Sequence, residues 1–328
     1  MNTFALLIHP KNTQQARSFW PVTRIMPDFL VKSWLKNIPA FKIYKIKSGH
    51  SSQGQDIKGY LIACPLLSGQ MLELGEDAVM DKIIAAGHIA EKLGANILGL
   101  DGYNSIAADK DYIIAKRLRI PVTRGSTLTA WSVFEAIYRV ARTKNINLKK
   151  SVLAVVGATN PIGSLCARKL SEYVSKIILF DSQRDKLGQL KETILQISPL
   201  EVVIEEDARK AVKDADIVII TSAIEPSFDT DELKMQAVVC DVSGSGSSVN
   251  FIRGGLIKLP YPLNLGVKTG LPKNVVYASI AEAMLLATAA RFVSYSLGDN
   301  INLDKLEEIA NIAAQYGFEV WAPEAPVG

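Results

Sequence analysis

The chain has 328 residues, 48% of them hydrophobic, and a formal net charge of +4. This length and apolar content predict a large core spread over two domains, and a thinly spread charge without a basic block makes nucleic acid a poor partner. Three scattered cysteines without a C-x-x-C motif, and only three histidines, indicate neither disulfides nor a metal site. With no leader-like start and no run long enough to span a membrane, we expect a cytoplasmic protein.

Residues 1 to about 125 alternate strand-like and helix-like segments, which predicts an α/β domain. The predicted strands cover residues 4–8, 41–46, 57–63 and 95–100. A helix is predicted over residues 74–93, with Gly94 as its C-cap. His88 lies on the margin of the apolar stripe of this helix and is either a partly buried structural residue or a catalytic one. Ser105 follows the fourth strand, in a turn where α/β domains often carry ligand loops.

The segment from residue 120 to residue 131, IPVTRGSTLTAW, marks a domain boundary. A short strand gives way to a glycine and then to a helix that runs to about residue 143. Thr127 either caps that helix or, together with Thr129, faces a cleft between two domains. Both interpretations stay open at this point.

The strongest pattern runs from Val152 to Asp181. Branched apolar residues at 152–156 are typical of a buried parallel strand, and a glycine turn, a helix (162–174) and a second strand (176–180) follow. This succession predicts a dinucleotide site at a helix N-terminus. Its predicted contacts are the residues of the turn, namely Gly157, Ala158, Thr159, Asn160, Pro161, Ile162 and Gly163. The alternative is an ordinary βαβ crossover in which Asp181 only caps the next helix.

Asp181 lies 18 residues after Gly163, the distance expected of a carboxylate that binds the adenosine ribose of a nicotinamide dinucleotide. Its negative charge would repel a 2′-phosphate and therefore favours NAD. Arg184, three residues further on, leaves NADP open.

Two later strands are predicted to end beside the same cofactor. The first, at 215–223, ends in Thr221, Ser222 and Ala223, and the second, at 237–242, leads through Cys240 into Ser243. The glycine–serine loop that starts there is either a flexible linker or a close backbone approach to a ligand. Cys240 is either a buried structural thiol or, if exposed, a nucleophile. Further helices are predicted at 184–197, 278–291 and 303–316.

Several segments together resemble the cyanobacterial long-chain acyl-[acyl-carrier-protein] reductases. The main ones are His88-Ile-Ala-Glu-Lys-Leu-Gly, Gly125-Ser-Thr-Leu-Thr-Ala-Trp, Leu153-Ala-Val-Val-Gly-Ala-Thr-Asn-Pro-Ile-Gly-Ser and Ala278-Ser-Ile-Ala-Glu-Ala-Met-Leu-Leu. The resemblance implies a Rossmann domain, use of NADPH, and reduction of a fatty acyl thioester to an aldehyde through an acyl-cysteine. Ser279 occupies the position of that cysteine and is a weaker nucleophile. We expect Ser279 to cap its helix, to donate a hydrogen bond to a substrate oxygen, or both.

These observations predict an α/β protein of two domains. An N-terminal α/β substrate domain (1–130, completed by C-terminal helices in 279–328) joins a doubly wound Rossmann domain (131–278). The expected activity is that of an NAD(P)-dependent dehydrogenase acting on a small carbonyl, hydroxyl or amino substrate in an interdomain cleft. The candidate catalytic residues of that cleft are Ser279, Thr127, Thr129, His88 and Ser105. The alternatives are an acyl-thioester reductase and a non-catalytic cofactor-binding regulator; homo-oligomerisation is left open.

Overall fold

The computed structural model describes residues 2–50, 56–100, 110–221, 230–242, 251–267 and 269–322. The chain divides into two compact units. The first unit comprises Met1–Gly125, Lys258–Gly298 and Ile312–Glu319, and the second comprises Ser126–Ile257, Asp299–Asn311 and Val320–Gly328. Ser105, Ser222, Ala223 and Ser243 lie outside the described residues, and the predicted domain limits at 130 and 278 stay a prediction.

The first unit contains a five-stranded sheet with the strand order β2-β3-β1-β4-β5. Its strands are β1 (Asn2–Ile8), β2 (Phe41–His50), β3 (Asp56–Ala63), β4 (Ile97–Leu100) and β5 (Val122–Thr123). All neighbouring pairs are parallel except the edge pair β2–β3, which is antiparallel. The carboxyl ends of β1, β3, β4 and β5 therefore meet along one edge of this sheet, the edge where open α/β sheets bind ligands.

Helices surround this sheet. They are α1 (Thr13–Phe19), α2 (Asp28–Asn37), α3 (Ser68–Leu74), α4 (Glu76–Lys92) and α5 (Asp111–Arg117). The helix predicted at 74–93 begins later than expected, because Gly75 adopts a φ of +79° and separates α3 from α4. Apolar side chains of α4 pack on alternate residues of β1, such as Ala5 and Leu7.

A further helix of the first unit, α10 (Ala278–Thr288), packs against β1 and β4. Asn2, at the start of β1, donates a hydrogen bond from Nδ2 to the carbonyl oxygen of Ala287, near the end of α10 (2.9 Å). A Cβ added to Gly99 in β4 would lie 3.0 Å from Cβ of Ala283, so the two elements are in close contact. Helix α10 therefore runs opposite to β1, and its start, with Ser279, lies toward the carboxyl edge of the sheet.

The second unit is built on six parallel strands in the order β11-β10-β9-β6-β7-β8. These are β6 (Val152–Val156), β7 (Lys176–Phe180), β8 (Glu201–Ile204), β9 (Ile217–Ile220), β10 (Val238–Asp241) and β11 (Phe251–Arg253). Counted within the unit, the order is 3-2-1-4-5-6, the doubly wound order of dinucleotide-binding domains. The chain reverses direction across the sheet between β6 and β9. The predicted α/β fold class with a Rossmann-type sheet is confirmed.

The helices of the second unit are α6 (Ser126–Thr143), α7 (Pro161–Leu170), α8 (Arg184–Ile197), α9 (Ala208–Lys213) and most of α11 (Leu303–Tyr316). The limits predicted for α8 and α11 agree with the structure, whereas α7 ends four residues before the predicted residue 174. Three short strands, β12 (Leu256–Lys258), β13 (Val275–Tyr277) and β14 (Glu319–Val320), complete the chain.

Candidate functional site

The turn after β6 lies at the point where the six-stranded sheet reverses its order. Gly157 adopts a φ of +84°, which favours glycine, and its N–H donates to the carbonyl oxygen of Phe180 at the end of β7 (2.9 Å). A Cβ added to Gly163 would lie 2.3 Å from the carbonyl oxygen of Gly157. Both glycines are therefore required for the close packing of α7 on the strand end, as the predicted dinucleotide turn demands.

Asn160 joins this turn to the neighbouring strand β9. Its Oδ1 accepts hydrogen bonds from the backbone N–H groups of Ile162 (3.1 Å) and Gly163 (2.9 Å), which makes it the N-cap of α7. Its Nδ2 donates to Thr221 Oγ1 (2.7 Å), and that hydroxyl donates in turn to the carbonyl oxygen of Gly157 (2.8 Å). A pyrophosphate at this helix start would compete with Asn160 Oδ1 for the two N–H groups.

Asp181 follows β7 and closes the turn from the other side. Its Oδ2 accepts a hydrogen bond from the backbone N–H of Thr159 (3.0 Å), and the residue stays partly exposed. The N-cap of the next helix is Gln183, whose N–H lies 3.4 Å from Asp181 Oδ1, a weak contact. Asp181 therefore stabilises the turn at residues 157–163, which we call the cofactor turn, more strongly than it caps α8. Arg184 is exposed and paired with Glu206 (2.5 Å).

The turn at residues 157–163 contains a buried polar group that bears on whether a dinucleotide fits there. Thr159 is buried, and its Oγ1 has no hydrogen-bond partner within the part of the chain that the structure describes. This buried hydroxyl is consistent with a polar ligand against the turn. The residues present fit the phosphate-binding end of a nicotinamide dinucleotide.

Ser279 is the second residue of α10, so the expectation that it caps this helix is wrong: the N-cap position is Tyr277, which makes no side-chain capping bond. Ser279 is partly exposed. The loop after β5 is in close contact with the backbone of Ser279: a Cβ added to Gly125 would lie 2.3 Å from Cα of Ser279. Gly125 also has a φ of +81°. Glycine at position 125 therefore lets the carboxyl end of β5 contact the start of α10.

Glu282, one turn further along α10, is fully buried in an otherwise apolar helix. Its Oε1 accepts hydrogen bonds from the hydroxyl of Ser296 (2.6 Å) and from that of Thr123 at the end of β5. Thr123 Oγ1 in turn accepts the N–H of Gly125 (3.3 Å). This chain of contacts connects Glu282 to the loop that touches Ser279. Glu282 was not predicted as a site residue, although a carboxylate within an apolar helix is a visible signal in the sequence.

A buried ion pair lies beside the same loop. Arg124 donates from Nη2 (2.5 Å) and Nε (3.0 Å) to Oδ1 of Asp111, which is fully buried. Asp111 Oδ2 also lies 3.5 Å from the N–H of Gly298. The pair fixes the backbone immediately before Gly125. Removing either partner would leave a buried charge without its counterion, so the pair has a structural role.

The other residues considered for catalysis differ in how deeply they are buried. Thr127 and Thr129 are buried within the first turn of α6, in the second unit. His88 is exposed on α4, where its Nδ1 lies 2.9 Å from Glu91 Oε2. Cys240 is fully buried, and burial together with Asp241 raises the pKa of its thiol to about 12. Cys240 is therefore a structural thiol and cannot replace the missing nucleophile.

His9 was not among the candidate site residues predicted from the sequence. It directly follows β1, at the carboxyl edge of the first sheet, and its Nε2 lies 3.5 Å from the hydroxyl of Ser68. Burial, with a smaller contribution from Lys11, lowers the pKa of His9 to about 4. The imidazole is thus neutral at pH 7. In the sequence, its position directly after the first predicted strand was the signal that it lies at the ligand-binding edge of the sheet.

No family model matches this sequence. The sequence is 26% identical over 295 residues to the long-chain acyl-[acyl-carrier-protein] reductase of Synechococcus elongatus, covering 82% of this chain and 84% of that protein. The chain is a distant relative of this reductase, and the resemblance noted in the sequence is confirmed. It is also 22% identical over 297 residues to the aminotransferase PigE of Serratia sp., but it spans only 34% of that longer protein.

Similarities to solved structures are weak. Quinate dehydrogenase from Corynebacterium glutamicum in complex with NAD is 16% identical, with a TM-score of 0.37 over 74% of this chain and 79% of that one. Shikimate 5-dehydrogenase from Listeria monocytogenes, in complex with shikimate and NAD, is 10% identical, with a TM-score of 0.38 over 74% and 78%. Within the described ranges, no helix is long and apolar enough to cross a membrane, and no cluster of three potential metal ligands occurs.

Proposed function

We propose that this chain is an NAD(P)-dependent oxidoreductase that transfers a hydride to or from a small carbonyl, hydroxyl or amino substrate. The observation that carries the proposal is the glycine turn, with its partner Asp181, at the reversal point of a parallel sheet of order 3-2-1-4-5-6. The nicotinamide ring, when bound, supplies or accepts the hydride. Gly157, Gly163 and the start of α7 hold the pyrophosphate, and Asp181 accepts hydrogen bonds from the ribose.

The chain's own contribution to the chemistry centres on Ser279. Its hydroxyl donates a hydrogen bond to the substrate oxygen on which negative charge develops during hydride transfer. The contact between Gly125 and Ser279, and the buried bonds of Glu282, hold the backbone of Ser279 in one position. A positioned donor acts without a costly rearrangement at the moment of reaction.

A second candidate function is the reduction of an acyl thioester to an aldehyde, which the Synechococcus relative is named for. The resemblance is most specific at Ala278-Ser-Ile-Ala-Glu-Ala-Met, where Ser279 stands in place of the nucleophilic cysteine that the family resemblance implies. An unassisted hydroxyl is essentially un-ionised at neutral pH, and an oxygen ester accepts hydride less readily than a thioester. The dehydrogenase proposal is therefore the stronger of the two.

The first test is calorimetric titration of the protein with NAD and with NADP. Gly163→Ala should abolish measurable cofactor binding, because the new Cβ would lie 2.3 Å from the carbonyl oxygen of Gly157. Gly188→Ala in α8 is the matched control, since a Cβ there meets no atom within 4 Å. Equal affinity of both variants and the wild type, with all three folded by thermal unfolding, would put the cofactor elsewhere.

A substrate panel then separates an enzyme from a regulator. Alcohols, 2-hydroxy acids and amino acids are tested with oxidised cofactor, and their carbonyl counterparts with reduced cofactor, by absorbance of the reduced nicotinamide. Cofactor binding with turnover of a panel compound supports the dehydrogenase. Cofactor binding without turnover of any compound, including long-chain acyl thioesters, favours a non-catalytic cofactor-binding protein.

A further inference from the structure

An exposed apolar patch lies on the N-terminal segment of the first unit. Of the twelve exposed large hydrophobic side chains among the described residues, four fall within nine consecutive positions. These four, which we call the apolar patch, are Val22 (50% exposed), Ile25 (88%), Phe29 (69%) and Leu30 (45%). Single exposed apolar residues are ordinary on protein surfaces, whereas a cluster of this kind marks an interaction site.

The backbone under the apolar patch is held by specific contacts. Arg17 donates from Nη2 to the carbonyl oxygen of Met26 (2.9 Å) and to Oδ1 of Asp28 (2.6 Å), which fixes the corner between Ile25 and Phe29. Trp20 packs against the rings of three neighbours in a small apolar cluster, namely Phe19, Trp34 and Phe41. The patch is therefore presented by a packed substructure and is not a frayed chain end.

Positive charge is concentrated around the same segment. Residues 11–47 contain eight basic residues: Lys11, Arg17, Arg24, Lys32, Lys36, Lys42, Lys45 and Lys47. Asp28 is their only acid, and its hydrogen bond and ion pair with Arg17 lower the pKa of its carboxyl. The segment thus carries a net +7 in a chain of net +4, so the other residues sum to −3. The sequence-based expectation of a thinly spread charge is wrong.

The apolar and basic groups share one face of α2. Val31 and Leu35, four residues apart, are fully buried. Phe29, Lys32 and Lys36 follow one another at spacings of three and four, and all three are exposed, so they line the outward face of the helix. Cations therefore lie beside the exposed aromatic ring, along the surface that the patch presents.

We propose that the apolar patch, together with the exposed cations Arg24, Lys32 and Lys36 of the same segment, docks the protein on the surface of an anionic phospholipid bilayer. Exposed apolar side chains flanked by lysines and arginines insert at the boundary between headgroups and acyl chains, while the cations attract acidic headgroups. A second copy of this chain is a poor occupant, because two faces of net positive charge repel each other. An acidic protein would need an apolar groove for Ile25 and Phe29, whereas a bilayer accepts them without a matching shape.

The test is sedimentation of the full chain with vesicles of phosphatidylcholine alone or mixed with phosphatidylglycerol. We expect binding to the mixed vesicles that weakens with added salt. The double variant Ile25→Ser/Phe29→Ser should lower the partition coefficient by about tenfold or more, since two large apolar side chains no longer insert. Lys32→Gln/Lys36→Gln should lower it by about fivefold per charge. All these positions are exposed, so thermal unfolding should be unchanged.

The matched control is Leu195→Ser/Met235→Ser, because these side chains are exposed like those of the patch (45% and 87%) but belong to the second unit. The control should sediment like the wild type. Absence of wild-type binding to the anionic vesicles would overturn the proposal, as would equal binding by the patch variant. Saturable binding of a soluble acyl carrier protein that only the patch variant loses, without vesicle binding, would assign the surface to an acidic protein.

Discussion

Asp181→Asn should shift the cofactor preference of the protein toward NADP without unfolding the cofactor turn. The carboxylate has two separable roles. Its Oδ2 accepts the N–H of Thr159 (3.0 Å), and in the proposed binding mode its charge faces the 2′-position of the ribose. Asparagine retains an oxygen that can accept the Thr159 N–H and removes only the charge. Asp181→Ala removes both the charge and the acceptor.

The size of the shift follows from the charges involved. A 2′-phosphate carries between one and two negative charges near neutral pH. At a separation of ~5 Å in water-exposed surroundings, its repulsion from a carboxylate amounts to about 1.5 kcal/mol, or roughly tenfold in Kd. We therefore expect Asp181→Asn to lower the Kd for NADP about tenfold relative to that for NAD. Asp181→Ala should in addition cost about 1–3 kcal/mol in the free energy of unfolding, because it strands the buried N–H of Thr159.

The test is calorimetric measurement of the Kd values for NAD and NADP. The ratio of the two values is compared between the wild type and both variants. Arg184→Gln is a second variant to measure, since Arg184 follows Asp181 by three residues and is paired with Glu206. It should leave NAD affinity unchanged. If a folded Asp181→Asn protein keeps the wild-type ratio of the two Kd values, the carboxylate does not face the ribose and serves only to brace the turn.

Three further predictions concern the first unit. Ser279→Cys should form aldehyde from long-chain acyl-CoA with reduced cofactor, where the wild type forms little or none; robust wild-type activity would restore the acyl-reductase interpretation. Glu282→Leu, which removes the acceptor for Ser296 and Thr123, should lower kcat with little change in cofactor Kd and, in the Ser279→Cys background, should alter the rate of thiol alkylation by iodoacetamide. Glu282→Gln keeps an acceptor oxygen and should behave like the wild type. An unaltered alkylation rate in the leucine variant would contradict a positioning role. The pKa of His9 falls from 6.5 in the unfolded chain to about 4 in the folded protein. The free energy of unfolding should therefore be at its full value above pH 6.5 and decline by up to about 3 kcal/mol toward pH 4. Urea unfolding should show a smaller decline in His9→Gln.

The parts of the fold that the sequence predicted are those whose signals are local. The run from Val152 to Asp181 contains a buried strand, a positive-φ glycine, a helix start and a second strand, each readable within a few residues. Helix α8 was predicted to its ends for the same reason. By contrast, α1 and α2 were missed. Helix α1 has seven mostly polar residues and therefore no apolar stripe, whereas in α2 the buried pair Val31 and Leu35 was an available signal that was overlooked. Gly75 was missed as a break because its neighbours continue the helical pattern.

The contacts around Ser279 depend on residues distant in sequence. Thr123 lies 159 positions before Glu282, and only the parallel pairing of β4 with β5 and the packing of α10 bring the two together. A single sequence contains no signal for such a pairing. The resemblance to the reductases indicated that position 279 matters, but it gave no information about what holds that position.

The buried bonds of Glu282 are better understood as a positioning device than as a source of stability. A carboxylate in an apolar helix loses its hydration, and hydrogen bonds recover that cost only in part, so an apolar residue of similar volume is often as stable or more stable. Glu282 instead fixes the position of the loop that contacts Ser279. Its oxygen holds the Thr123 hydroxyl, which holds the N–H of Gly125, whose missing side chain leaves space for the backbone of Ser279. The start of α10 is thus fixed to the carboxyl edge of the sheet, and the role proposed for the Ser279 hydroxyl requires such a donor that does not move.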